Sequence, residues 1–100
     1  MKVNTQSVNF VADQTLVDFV QKKMDRLDQF FDKVICADIY MKVENKSEKD
    51  NKIFEAKITV PGDSYIVKKK SKTFEEAADL ASQSLERLLK KRKEKLRAHA

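Results

Sequence analysis

The chain has one glycine (Gly62), one proline (Pro61), one cysteine (Cys36), one histidine (His99) and no tryptophan. Each scarcity removes a class of explanation. One glycine cannot build a Gly-rich phosphate loop. So little glycine and proline argues against long irregular loops and against a Pro/Gly-rich disordered tract. A lone cysteine cannot close an intramolecular disulfide, which suits a reducing cytosol. A single histidine, one residue from the end of the sequence, leaves no zinc-ligand spacing and no nucleophile–base pair. No apolar run approaches the roughly 20 residues that a membrane-spanning helix needs. The opening MKVNTQSVNF holds no apolar segment of signal-peptide length. These absences predict a cytoplasmic protein that is not an enzyme, with no cofactor, metal, small-molecule substrate or membrane attachment.

What the chain has in abundance is charge. Charged residues make up 37% and hydrophobic residues 41% of the 100 positions, against usual values of about 25% and roughly 45–50%. That is enough apolar matter for one domain, residues 1–100, with a modest core. The net charge of +5 is unevenly placed. Residues 87–100 hold seven basic side chains (Arg87, Lys90, Lys91, Arg92, Lys93, Lys95, Arg97) and one acidic, Glu94. Residues 1–86 nearly balance, with 14 basic and 15 acidic. A cationic end on a neutral body points to a polyanionic partner.

Periodicity supplies the elements. Val3 and Thr5 alternate with Lys2, Asn4 and Gln6 as a short strand. Asp13 is placed to cap a helix in which Leu16, Phe19, Val20, Met24, Leu27, Phe30 and Phe31 recur at three- and four-residue steps, to about Phe31. In VICADIYMKVE, Ile35, Ala37, Ile39, Met41 and Val43 share one face and Cys36, Asp38, Tyr40 and Lys42 the other, the pattern of a half-buried strand. Asn45–Lys52 reads as a hairpin loop. IFEAKITV turns Phe54, Ala56, Ile58 and Val60 to one side. Pro61–Ser64 is a tight turn. A fourth strand follows, with Tyr65 and Val67 inward and Lys68, Lys69, Lys70 and Lys72 crowding its end. Thr73–Glu76 (TFEE) has the form of a capping box. It opens a helix that runs to about Arg97 and spans roughly 36 Å, longer than such a sheet can cover.

The order β-α-β-β-β-α, with one apolar face per strand, predicts an α+β two-layer sandwich. A four-stranded mixed sheet carries both helices on one face.

Two positions break the apolar stripes. On a wheel of the last helix, Phe74, Ala77, Ala78, Ala81, Leu85, Leu88 and Leu89 line one side, and Arg92 interrupts it before Leu96. The core therefore ends near Leu89 while the helix continues. In the first helix, Lys23 lies among Phe19, Val20 and Leu27. Lys23 has two readings: a snorkelling side chain, or a member of a basic groove with Arg26 and the turns after Leu89. The helix dipole explains one or two cations in a last turn, not seven basic residues over three turns. Lys91 with Lys95, and Lys93 with Arg97, repel at i,i+4. Such a rod reads as a binding surface. The fourth-strand lysines either join that surface or protect a sheet edge.

The element order, KKMDRLDQFFD in the first helix, the strand IYMKVE and the closing LLKKRKEKLRAH together resemble the short bacterial ribosome hibernation promoting factors. That family includes the ribosome-associated inhibitor and has been labelled a modulator of the nitrogen sigma factor. The resemblance covers essentially the whole chain and differs in length mainly at Asn45–Lys52. Its most specific part is Lys91, Lys93 and Lys95 after Leu89, together with Lys23 and Leu27.

The resemblance implies a fold similar to double-stranded RNA-binding domains. It implies a protein seated in the messenger and transfer RNA channel of the small ribosomal subunit, blocking translation in stationary phase. Lys23, Arg26, Lys91, Lys93 and Lys95 would contact ribosomal RNA phosphates. The same basic surface adds Lys22, Lys90, Arg92 and Arg97 as RNA-binding candidates. A ribosome modulation factor is a further implied partner.

Three departures from the family stand out. Arg92 occupies a place where the family often has an aromatic or histidine, exchanging stacking for charge. Thr73 and Glu75 replace the usual Asp and aromatic around the start of the last helix. With its last residue at Ala100, the sequence is expected to lack the second domain of long family members and the inhibitor's tail. The residues alone leave two other readings open: a protein-interaction module acting on a sigma factor, and a generic double-stranded RNA-binding domain.

Overall fold

Alternation of apolar and polar side chains builds the sheet, and the computed structural model, which describes residues 1–44 and 49–98, shows where each alternation lands. Strand β1 (Lys2–Val8) pairs in parallel with β2 (Cys36–Val43). Strands β3 (Lys52–Val60) and β4 (Asp63–Ser71) extend the sheet by antiparallel pairing, in the order β1-β2-β3-β4. The predicted α+β order with a four-stranded mixed sheet is the one observed. Ala37, Ile39, Met41, Phe54, Ala56, Ile58, Val60 and Val67 are buried on one sheet face, in a single cluster with the buried residues of both helices.

Helix α1 (Gln14–Asp25) starts where Asp13 accepts a hydrogen bond from Leu16 N at 2.8 Å. It buries Leu16, Val20 and Met24. The helical periodicity continues, but its geometry tightens into a 3₁₀ turn at Arg26–Gln29. Phe30 N and Phe31 N both donate to Leu27 O there, so the last turn satisfies its carbonyl locally.

The sequence pattern places Ile35 inside, but it is 56% exposed and Val34 is buried instead. Ile35 N donates to Thr59 O at 2.8 Å, ahead of the strand proper. Backbone pairing, not alternation, sets the side-chain direction at that point.

Helix α2 (Phe74–Ala98) is one continuous helix of 25 residues. Thr73 Oγ1 accepts from Glu76 N at 3.1 Å, so the first half of the capping box forms. The Phe10 and Phe74 rings stack at 4.6 Å and pin the start of α2 to the β1–α1 connection. Its stripe of Phe74, Ala77, Ala78, Ala81, Leu85 and Leu89 is buried. A 25-residue helix measures about 37 Å and a nine-residue strand about 30 Å. The molecule is accordingly elongated, 51 × 23 × 19 Å. Part of the predicted Asn45–Lys52 loop, residues 45–48, lies outside the described residues, as does His99; of Leu96 and Arg97 only the backbone is described.

The β3–β4 turn is the two residues Pro61 and Gly62, closed by Val60 opposite Asp63. Gly62 has φ +79°, where an L side chain is strained. Proline before it fixes the entry angle.

Candidate nucleic-acid interface

The two helices pack side by side on the sheet, which brings Lys23 against Asp79 and Lys90 against Phe30. Lys23, half-buried on α1, reaches across to α2, where its Nζ lies 2.8 Å from Asp79 Oδ1. Gln83 Nε2 donates to the other carboxylate oxygen at 3.2 Å. The hydrogen bond from Lys23 holds the Asp79 carboxyl below the ordinary carboxylate range. Partial desolvation opposes the shift, while the charges of Lys23 and Arg26 and the bond from Gln83 favour it. Lys23 Nζ also sits 5.5 Å from the Phe19 ring centre. The Lys23 stem is thus packed, as snorkelling requires, and its head closes a seam between helices.

Lys90 is also engaged. Its ammonium lies 4.8 Å from the Phe30 ring centre and 3.2 Å from Glu86 Oε1, a glutamate one turn before it. That is the favourable order for an i,i+4 pair.

Arg92 turns back onto the sheet. Its Nη1 donates to Asp63 Oδ2 at 3.2 Å and to Tyr65 Oη at 3.3 Å, and its Nη2 to Pro61 O at 2.9 Å. Its Nε is buried without a partner. Arg92 thus continues the apolar stripe in direction but ends on the polar atoms of the β3–β4 turn.

The remaining candidates face solvent. Lys22, Arg26, Lys91, Lys93 and Lys95 are exposed, and their side chains make no hydrogen bond or ion pair among the described residues. The side chain of Arg97 lies outside the described residues. So the nine candidates divide: Lys22, Arg26, Lys91, Lys93 and Lys95 present open charge, while Lys23, Lys90 and Arg92 are held by the protein.

Sequence reasoning passed over Arg87 as a site residue. It lines a shallow groove of about 320 Å³ with Ser84, Leu88 and Lys91. The signal was its place one helical turn before Lys91. The β4 lysines separate by alternation. Val67 is buried on the helix side, so Lys68 and Lys70 project from the opposite face, on an edge strand. They lie apart from the helical surface.

No three His, Cys, Asp or Glu side chains among the described residues gather as a metal site would need. No helix of the described residues is long and apolar enough to cross a membrane.

The family model described as "Sigma 54 modulation protein / S30EA ribosomal protein" matches residues 3–97. A ribosome hibernation promoting factor from Pseudomonas putida is 33% identical over 95 residues, 95% of this chain and 89% of that protein. Its counterpart from Azotobacter vinelandii is 30% identical, covering 95% of this chain and 85% of that protein. The ribosome hibernation promotion factor of Bacillus subtilis is 26% identical, and the match spans 50% of its length. Among solved structures, the N-terminal domain of Thermus thermophilus Protein Y aligns with a TM-score of 0.81, covering 91% of this chain and 98% of that one at 24% identity. A ribosomal subunit interface protein from Coxiella burnetii gives 0.82, with 93% and 98% covered, also at 24% identity. Those two structures carry the fold.

Proposed function

Because the chain belongs to the sigma 54 modulation protein / S30EA ribosomal protein family, we propose that it is a ribosome hibernation factor. It binds the small ribosomal subunit through ribosomal RNA phosphates, occupies the messenger and transfer RNA channel, and blocks translation in stationary phase. The observation that carries this reading is the open charge of Lys91, Lys93 and Lys95 on a helix that runs on past Leu89, the last buried leucine among the described side chains.

Phosphate contacts give affinity without reading sequence and weaken steeply with salt. Structured RNA is recognised largely by backbone and shape. A surface with ammonium groups and no stacking platform fits that mode. Lys22 on α1 and Arg26 in the 3₁₀ turn that follows it are further exposed cations that this reading assigns to phosphate contact.

The test is co-sedimentation with purified small subunits and inhibition of translation in vitro, at two salt concentrations. The triple variant Lys91→Glu, Lys93→Glu, Lys95→Glu is expected to lose both activities. Undiminished co-sedimentation of that variant refutes the assigned surface. Capture of a sigma factor that survives RNase, without subunit binding, refutes the ribosomal reading.

A further inference from the structure

Resting on the proposed ribosomal RNA surface, we infer that Arg92 is a positioning residue. It fixes the distal turns of α2, and with them Lys91, Lys93 and Lys95, against the β3–β4 hairpin, and holds no phosphate itself.

The geometry of the guanidinium carries this. Its two terminal nitrogens both point into the hairpin, where Nη1 serves Asp63 and Tyr65 and Nη2 serves the Pro61 carbonyl. Its Nε is enclosed, and the side chain is 21% exposed. Three of its five N–H groups are thus committed to the hairpin and a fourth, on Nε, is enclosed, so the bidentate fork that grips a phosphate is given up to the protein.

The acceptors are themselves preset. Asp63 Oδ1 accepts from Ser64 N at 2.8 Å, leaving Oδ2 aimed at Arg92. Pro61 and Gly62 fix the turn that offers the carbonyl. Three acceptors spread over one turn match a planar fork, which an ammonium cannot reproduce.

The consequence falls on the neighbours. At 100° per residue, Lys91 and Lys93 lie on opposite flanks of Arg92. Lys91 and Lys95 repel each other at i,i+4, which favours fraying of a charged helix end. Arg92 is an anchor that ties these turns to the hairpin and keeps the angular phase of the cations around it.

The test pairs binding with a measurement on the free protein. Asp63→Asn keeps the turn's own acceptor for Ser64 N but removes a negative charge. A surface that worked by net charge alone would bind subunits more tightly after this change. Positioning predicts weaker binding, on the order of fivefold for a pair this exposed, with the salt slope unchanged because no phosphate contact is lost.

Arg92→Lys keeps the charge but not the fork, and is expected to match Asp63→Asn. The double variant is expected to be no worse than either single. Lys91→Gln, by contrast, should lower the slope of log affinity against log salt by about 0.7–0.9. In the free protein, Asp63→Asn is expected to speed hydrogen exchange of α2 amides after Leu89.

Tighter binding by Asp63→Asn, wild-type binding by Arg92→Lys, or unchanged amide exchange in Asp63→Asn overturns the inference. If the unmodified protein binds no subunits, the ribosomal reading fails. The exchange experiment still decides whether Arg92 anchors the helix.

Discussion

Lys23 on the first helix and Asp79 on the second meet at 2.8 Å across 56 residues of sequence. This bridge neutralises a lysine inside an otherwise positive surface. Asp79→Asn is therefore expected to release Lys23 and strengthen small-subunit binding, by about twofold to fivefold at low salt. The gain should shrink as salt rises. A binding titration at two ionic strengths checks it. Asp63→Asn changes net charge by the same amount and is expected to move affinity the other way.

The same bridge sets a pH dependence. Lys23 holds the Asp79 carboxyl below its unfolded value, so the ionised form favours the fold. That contribution is present above the unfolded value of about 3.9 and fades as pH falls through the lower folded value. Asp79 is 46% exposed, so screening limits the effect to less than about 1 kcal/mol. Urea unfolding at pH 7 and pH 3 should show a smaller acid-side loss in Asp79→Asn than in the unmodified protein.

Arg87 shares a groove with Lys91. Arg87→Gln is expected to weaken subunit binding and lower the salt slope by about 0.7–0.9, as one lost phosphate contact does. Its thermal stability should change little, because the side chain is exposed and its one hydrogen bond, to Ser84, is long at 3.4 Å.

Two stability variants separate packing from backbone strain. Leu89→Ala removes a fully buried side chain and is expected to cost about 2–5 kcal/mol. Gly62→Ala meets no atom within 4 Å, so no clash arises. The positive φ of +79° alone sets its cost, about 1–2 kcal/mol. Denaturant melts of the two variants give both values.

Local features were legible in the sequence. Asp13 and Thr73 cap as their residue types predict, and Pro61–Gly62 turns the chain where they stand, because each device involves neighbours within four residues. The strand faces followed from alternation except at Ile35, where pairing to Thr59 overrode it.

What the sequence left open was partnership across elements. The helical wheel placed Lys23 and Arg92 in apolar stripes. It could not name Asp79 as the partner of one or Pro61, Asp63 and Tyr65 as the partners of the other. Those partners come from elements whose proximity exists only after folding. The count of basic residues was legible, but how many keep their charge open was not.

Helix α2 is uninterrupted from the buried Phe74 to the cationic turns. In the proposed reading one rod is both core and grip, with no joint between them. Binding and folding are therefore thermodynamically linked: an anion that holds the distal turns stabilises the entire domain by mass action. Saturating polyanion should raise the melting temperature of the whole sheet, and a destabilised core variant should be rescued by the partner it has to bind.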